Sequence, residues 1–169
     1  IDTGDAILLH PKNKKQSGVR HAYLALGKTY GLPLVPEGPA FSGFKTDGKR
    51  MRVRFASTGS GLTGGSDKPL DSFAIAGKDR QWYWAKAKID GDSILLSSPK
   101  VKQPVAARYA WAMNPSQRNL LYNQDGFPAS PFRTDDWPLY DPKAELVEVT
   151  KPEKPKRYEA KDWSRPILK

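Results

Sequence analysis

Apolar and polar residues alternate along several short stretches of the chain, a pattern typical of half-buried β-strands. Between positions 50 and 55, three arginines alternate with Met51, Val53 and Phe55. Successive side chains of a strand point to opposite faces, so we expect the apolar residues to face a core and the arginines to lie on the other face. An arginine row can bind phosphate or carboxylate groups. A solvent-facing row of long side chains is the commoner arrangement, and both alternatives remain open.

Further short strands follow at the spacing of a β-sandwich. Two Asp-Gly pairs, at 47–48 and 90–91, predict tight hairpins because glycine accepts a positive φ without steric cost. The predicted strands are 41–45, 49–56, 72–76, 82–85, 86–89, 93–97 and 105–111. We therefore expect a mostly β chain that forms a sandwich or jelly roll of about seven to nine strands.

One amphipathic helix is predicted immediately after His10. Pro11 suits a first helical turn, and Gly31 is a typical helix end. Apolar residues recur at helical spacing at Val19, Ala22, Tyr23, Leu26 and Tyr30. An isolated helix of this length is marginal in water, so its apolar face needs a partner surface from elsewhere.

Two stretches are predicted to be irregular. Residues 32–39 are rich in proline and glycine and indicate a linker. Residues 114–133 form a long predicted loop, in which aromatic side chains argue against disorder. Ordered loops of this length tend to serve a site.

Composition excludes several kinds of chemistry. The chain has 169 residues, 38% of them apolar, and no cysteine. This rules out disulfides, thiolate zinc sites, iron–sulfur clusters and cysteine nucleophiles. With only His10 and His21 available, we expect no histidine-rich metal site. No apolar run approaches the roughly 18 residues of a membrane helix, so no membrane span is expected.

A formal charge of +10 and a pI near 9.7 raise nucleic acid or an acidic polysaccharide as partners. The charges are scattered, however, and residues 151–169 mix basic residues with acids and prolines, as in a solvated extended tail. RNA-recognition and zinc-finger signatures are absent from the sequence. We therefore expect no nucleic-acid partner; binding of this kind would show a steep salt dependence.

Candidate catalytic chemistry centres on His10, which follows Asp5 by five positions. A histidine can accept the proton of a serine hydroxyl while a carboxylate orients the imidazole. The strings Gly4-Asp5 and His10-Pro11-Lys12-Asn13-Lys14 resemble the last catalytic block of the sialate O-acetylesterase family, which are SGNH-type carbohydrate esterases. The segments 59–62, 73–77, 108–112 and 128–135 resemble that family in the same order, so the resemblance covers about residues 1 to 137.

The resemblance implies that His10 is the catalytic histidine and that Asp5 orients it, with Asp2 as the second candidate. Many family members carry the acid two places before the histidine, where this chain has Leu8. The family's Gly-Asp-Ser block lies upstream of the histidine, and none is found there. Residues 91–93 read Gly-Asp-Ser but fall in a predicted hairpin turn, where they have a structural role.

The resemblance also implies the organisation of the chain. Residues 1–36 would be the end of an SGNH α/β hydrolase domain, 37–142 an accessory β-domain and 143–169 a basic tail. The chain would be the C-terminal portion of an enzyme that hydrolyses acetyl esters on a carbohydrate, secreted or periplasmic. No metal and no other cofactor is implied. The nucleophilic serine would come from an N-terminal part, as a separate chain or a cleaved fragment, and this chain alone would be inactive.

Substrate contacts are predicted for Arg133, which could bind a carboxylate, and for Trp111, which could stack on a sugar ring. Arg133 could equally pin its own loop through Asp135 or Asp136. The aromatic residues that could form a sugar platform, or pack in a core instead, are Trp82, Tyr83, Trp84, Tyr109, Trp111 and Trp137. The alternative function is a non-catalytic carbohydrate-binding β-sandwich in which His10 is incidental.

Overall fold

The structure, a computed structural model, describes residues 1–4, 10–112 and 114–138. In this part of the chain there is one helix, α1, at Lys14–Leu24, which continues into a π-helical turn at Ala25–Thr29. The strands are β1 (Ala40–Asp47), β2 (Arg50–Ala56), β3 (Leu62–Gly64), β4 (Phe73–Ala76), β5 (Trp82–Trp84), β6 (Lys86–Asp90), β7 (Ser93–Ser97), β8 (Ala106–Tyr109), β9 (Leu121–Asn123) and β10 (Phe132–Arg133). The predicted mostly β class is confirmed. No helix in the described ranges is long and apolar enough to cross a membrane.

The strands form three antiparallel sheets, in the orders β1-β2-β7-β6, β10-β8-β4-β5 and β3-β9. Both predicted hairpins are present with two-residue loops. Asp47 pairs with Arg50 across the first loop, and Asp90 pairs with Ser93 across the second. Gly48 and Gly91 open these loops with φ values of 56° and 57°, a conformation that glycine adopts without strain.

The core lies between the two four-stranded sheets. Met51 and Val53 of β2 are fully buried, and the neighbouring arginines lie on the opposite face, as the alternation predicted. Ile94 of β7 and Ile75 of β4 belong to the same buried cluster. Since β2 and β7 belong to one sheet and β4 to the other, the two sheets share one core. Each such side chain contributes roughly 1.5–3 kcal/mol of burial free energy.

Strands β9 and β10 lie inside the segment predicted to be a loop. β9 pairs with β3, and β10 pairs with β8. The hydroxyl oxygen of buried Tyr109 accepts a hydrogen bond from the Leu121 amide at 2.9 Å, which joins β8 to β9. The segment is ordered as expected, but it contributes to two sheets.

The predicted linker, residues 32–39, packs closely against the part of the chain that forms the strands, residues 40–133 (the β-region). Pro39 is fully buried, and the Asn123 side-chain amide donates to the Glu37 carbonyl at 3.1 Å. A Cβ atom on Gly38 would overlap the Pro128 carbonyl group. The domain boundary at 36–37 stays a prediction, and the predicted tail at 143–169 lies outside the described residues.

The rest of the described chain covers only part of the apolar surface of helix α1 and the turn that follows it. The Tyr23 and Phe127 ring centroids are 5.7 Å apart, which brings the helix against the loop after β9. No residue of the helix is fully buried. Leu24, Tyr30 and Leu32 are exposed, Tyr30 to 73%. The β-region therefore supplies one partner surface for the helix and leaves other apolar side chains in solvent.

Candidate active site: the histidine segment and its anchor

His10 lies on an exposed bend in the segment that leads into helix α1. Asn13 caps the helix, because its Oδ1 accepts a hydrogen bond from the Gln16 amide at 3.1 Å. The helix therefore begins at Lys14. Pro11, which the sequence analysis placed in the first helical turn, lies before the helix. Among the described residues, His10 has no hydrogen-bond partner. Its imidazole is therefore accessible.

A buried carboxylate fixes the start of this segment. Asp2, whose side chain is 8% exposed, accepts two hydrogen bonds from the Arg20 guanidinium at 2.6 Å each. The Tyr122 hydroxyl donates to Asp2 Oδ2 at 2.9 Å, and the Gln16 side-chain amide donates to it at 3.3 Å. These four residues, Asp2, Gln16, Arg20 and Tyr122, form the Asp2 anchor, which ties the N-terminal segment to α1 and β9.

Ionisation of the anchor follows from its charges. Burial acts to raise the pKa of Asp2, but the hydrogen bonds and charge of Arg20 and the Tyr122 hydrogen bond hold that pKa below its usual value. Burial, together with the negative charge of Asp2, raises the pKa of Tyr122 well above its usual value. At neutral pH the anchor therefore pairs an ionised carboxylate with a guanidinium and a neutral phenol.

Of the two candidates for the acid that orients His10, the structure describes Asp2 and not Asp5. Asp2 is occupied by Arg20 and Tyr122, and no hydrogen bond joins it to His10 in the described part of the chain. Asp5 and Leu8 lie outside the described residues, so the role of Asp5 stays a prediction.

The segment predicted to be a loop reaches the histidine segment. The Gln117 side-chain amide donates to the Gly4 carbonyl at 3.1 Å. Tyr122, from the same stretch, belongs to the Asp2 anchor. Two residues of the stretch therefore contact the N-terminal end of the segment that carries His10. That the stretch serves a site stays a prediction. The sequence analysis did not identify Tyr122 as part of the site. The only signal was the aromatic content of residues 114–133, which indicated that the stretch is ordered.

The internal Gly-Asp-Ser triplet has a structural role, as the sequence predicted. It sits at the tight turn between β6 and β7. Buried Ser93 donates from Oγ to the Asp90 carbonyl at 2.7 Å and accepts from Arg52 Nη1 at 2.7 Å. Its hydroxyl is committed to these partners.

Arg133 and Trp111, the predicted substrate contacts, come together on one surface. The Arg133 guanidinium carbon lies 5.6 Å from the Trp111 ring centroid, and Trp111 is 44% exposed. Arg133 Nη1 also donates to the Trp137 carbonyl at 2.9 Å. The carboxylate of Asp135 is held mainly by Arg108, which donates to both of its oxygens at 2.9 and 2.7 Å. Arg133 lies 3.9 Å from the same carboxylate.

The six-residue aromatic platform does not exist as a surface. Trp82 is 4% exposed, and its ring centroid lies 5.5 Å from that of Trp137. Tyr109 is fully buried in the core. Trp84 and Trp111 are the exposed indoles in the described ranges.

The chemistry available at this site is proton transfer. An exposed imidazole can take a proton from a hydroxyl and return it. Within the described ranges, no serine hydroxyl hydrogen-bonds to His10, and no cluster of three or more His, Cys, Asp or Glu residues is placed to hold a metal ion. The absence of a cofactor stays a prediction.

The chain is structurally similar to an enzyme of the carbohydrate esterase class. The similar protein is a carbohydrate acetylesterase from Xanthomonas citri, whose crystal structure matches with a TM-score of 0.77 and 41% sequence identity over 81% of this chain. The chain spans 32% of that protein's length. No family model matches the chain, and no curated protein matches it. The similarity to carbohydrate esterases predicted from the sequence is thus supported by a solved structure.

Proposed function

We propose that this chain is the part of a carbohydrate O-acetylesterase that carries the catalytic histidine, in an SGNH-type active site resembling that of sialate O-acetylesterases. The observation that carries the proposal is the match to a carbohydrate acetylesterase at 41% identity over 81% of the chain. The exposed His10 before a capped helix supports it. Because the chain spans about a third of that protein, the nucleophilic serine is assigned to an N-terminal part of the same enzyme.

In the proposed reaction His10 moves a proton in each of two steps. The serine oxygen attacks the acetyl carbonyl while His10 accepts the hydroxyl proton. Collapse of the tetrahedral intermediate breaks the ester bond, and the sugar oxygen leaves with the proton from His10. Water then attacks the acetyl-serine, and His10 accepts one of its protons. Acetic acid leaves as that proton passes from His10 to the serine oxygen, and it then ionises to acetate. Without the serine and its oxyanion hole, this chain has no attacking group.

Asp5 is the proposed orienting acid. Asp2 uses both carboxylate oxygens to bind Arg20, and one of them also accepts from Tyr122. Releasing it to orient His10 would leave Arg20 without its ion-pair partner. Asp5 is closer to His10 along the chain and matches the family's Gly-Asp string.

The exposed apolar residues beside helix α1 support a further polypeptide part. Leu24, Tyr30 and Leu32 share this exposure near one end of the helix. We assign them to the surface on which the serine-bearing part packs, since burying such side chains is favourable. Export to the periplasm or the outside of the cell is proposed from the family resemblance alone.

The test compares the two histidines of the chain. Purified chain alone is expected to leave p-nitrophenyl acetate intact. Native enzyme purified with its serine-bearing part is expected to release acetate, and His10→Ala should abolish that release. His21→Ala is the matched control, because His21 is also exposed and, among the described residues, its ring bonds the Ser17 carbonyl of its own helix, at 2.7 Å. Hydrolysis by the chain alone, or full activity in the His10→Ala enzyme, would contradict the proposal.

A second candidate is a non-catalytic carbohydrate-binding module, and the exposed Trp111 beside Arg133 favours it. The reading frame upstream of Ile1 separates the two functions. A Gly-Asp-Ser block within an α/β pattern supports the esterase, whereas a signal peptide directly before Ile1 supports the binding module.

A further inference from the structure

One face of the β1-β2-β7-β6 sheet carries a dense set of cations. Residues paired across neighbouring strands lie on the same face, and Lys45 pairs with Arg52, Arg52 with Leu95, and Leu95 with Lys88. The next positions along these strands add three more cations to this face. The cationic face consists of Lys45, Arg50, Arg52, Arg54, Lys86 and Lys88.

Most of these cations have no ion-pair partner in the part of the chain that the structure describes. Arg52 forms an ion pair with Asp90 at 2.6 Å and also donates to Ser93. The other five cations are exposed, and none of them has an ion pair or a side-chain hydrogen bond within the described ranges. Asp47 and Asp90 are the only carboxylates at the paired positions of this face. The face therefore has a clear local excess of positive charge.

The layout of the cations suits a polymer better than a small anion. Strands lie about 4.8 Å apart and alternate residues about 6.8 Å apart, so the cations are spread over a patch roughly 14 Å across. They do not converge on one point, as the ligands of a single phosphate would. An extended chain with repeated negative charges can contact several of them at once.

The composition of the face separates two kinds of polyanion. Its other paired positions hold no aromatic side chain; they are Ala40, Gly43, Ala56, Ser93, Leu95 and Ser97. Proteins that bind single-stranded nucleic acid stack its bases on aromatic side chains, which this face lacks. The exposed indoles are Trp84, at the end of β5, and Trp111, just after β8. Both strands belong to the other four-stranded sheet.

We propose that the cationic face binds an anionic polysaccharide through its carboxylate groups. The choice of a carbohydrate among polyanions rests on the proposed function, which the inference deepens by naming an acidic glycan as the class of polymer that carries the ester. The exposed lysines and arginines supply charge-assisted hydrogen bonds along the polymer.

Binding of polygalacturonate by the full chain tests the proposal, with uncharged dextran as the reference polymer. Wild-type chain should bind polygalacturonate at low salt, more weakly as salt rises, and should not bind dextran. The face variant is Arg50→Gln, Arg54→Gln and Lys88→Gln. Since each exposed charge contributes modestly to binding, losing three of them should lower the affinity about tenfold.

A control variant removes the same charge elsewhere. Lys15→Gln, Lys78→Gln and Lys102→Gln also lower the net charge by three, at exposed positions outside the face. Its affinity for polygalacturonate should stay within about twofold of wild type. An equal loss in both variants would show that only net charge matters and would overturn the proposal.

A measurement on wild-type chain keeps the test independent of how the variants fold. Lysine acetylation read by mass spectrometry should slow at Lys45, Lys86 and Lys88 when polygalacturonate is bound, and not at Lys78 or Lys102. No protection, no binding, or tighter binding of double-stranded DNA than of polygalacturonate would overturn the inference. Acetate release by the native enzyme does not enter either readout, so failure here is distinct from failure of the esterase proposal.

Discussion

The Asp2 anchor predicts that Tyr122→Phe loosens helix α1. Asp2 and Tyr122 are 120 positions apart in the sequence, and their 2.9 Å hydrogen bond joins the N-terminal segment to β9. The substitution deletes one hydroxyl donor and keeps the ring. Because Arg20 and Gln16 of α1 bond the same carboxylate, weakening the hold on Asp2 weakens the hold on the helix.

The size of the effect follows from what Asp2 retains. A hydrogen bond to a charged group contributes about 1.5–3 kcal/mol. In the variant, Asp2 still accepts both Arg20 bonds, so its carboxylate is not left unsatisfied. We therefore expect the lower end, about 1.5 kcal/mol, which corresponds to about a tenfold change in an equilibrium constant.

Hydrogen–deuterium exchange of the α1 amides measures this opening locally. The Tyr122→Phe chain should exchange about tenfold faster there than wild type. Tyr83→Phe is the matched control, because the Tyr83 ring is also half-buried and its hydroxyl has no hydrogen bond among the described residues. Equal α1 exchange rates in the two variants would refute the anchoring role of Tyr122.

Two further predictions concern stability. Gly38→Ala should lower the free energy of unfolding by about 2 kcal/mol, because its Cβ would overlap the Pro128 carbonyl group. Gly18→Ala, in open space on α1, should raise it by about 0.5–1 kcal/mol, and urea denaturation that shows the same sign for both would contradict the packing of residues 32–39. Burial acts to raise the pKa of Asp135, but the hydrogen bonds and charge of Arg108 hold it below its usual value. Its stabilising contribution is therefore present above about pH 4 and is lost as the pH falls through the lower folded pKa. Asp135→Asn should be less stable than wild type near pH 7, and the gap in thermal denaturation should narrow towards pH 3; a constant gap would contradict the ion pair.

Patterns within short stretches of sequence predicted the β1-β2-β7-β6 sheet correctly. The alternation of arginines with Met51 and Val53 gave the correct core face of β2, because a two-residue period is a property of the strand itself. The Asp-Gly pairs located both hairpins, since positive φ at Gly48 and Gly91 is a local demand of the turn. Features of this kind depend on a few neighbouring residues and can be found in one sequence.

Features that depend on distant partners could not be found in this way. β9 and β10 have three and two residues, too few to show a period, and they form because β3 and β8 supply their hydrogen bonds. The contact between Asp2 and Tyr122 needs the whole fold to form. Likewise, Trp82 and Trp84 have the same sequence character. Trp82 is buried because distant side chains pack on it, among them Ala106, Arg108 and Trp137.

The edges of the β1-β2-β7-β6 sheet bear on how molecules of this protein meet one another. β6 is one edge and carries Lys86 and Lys88, while β1, the other edge, carries Lys45 and an irregular register between Phe41 and Gly43. Lysines and bulges on outer strands discourage intermolecular strand addition. Concentrated solutions should therefore resist aggregation by this route.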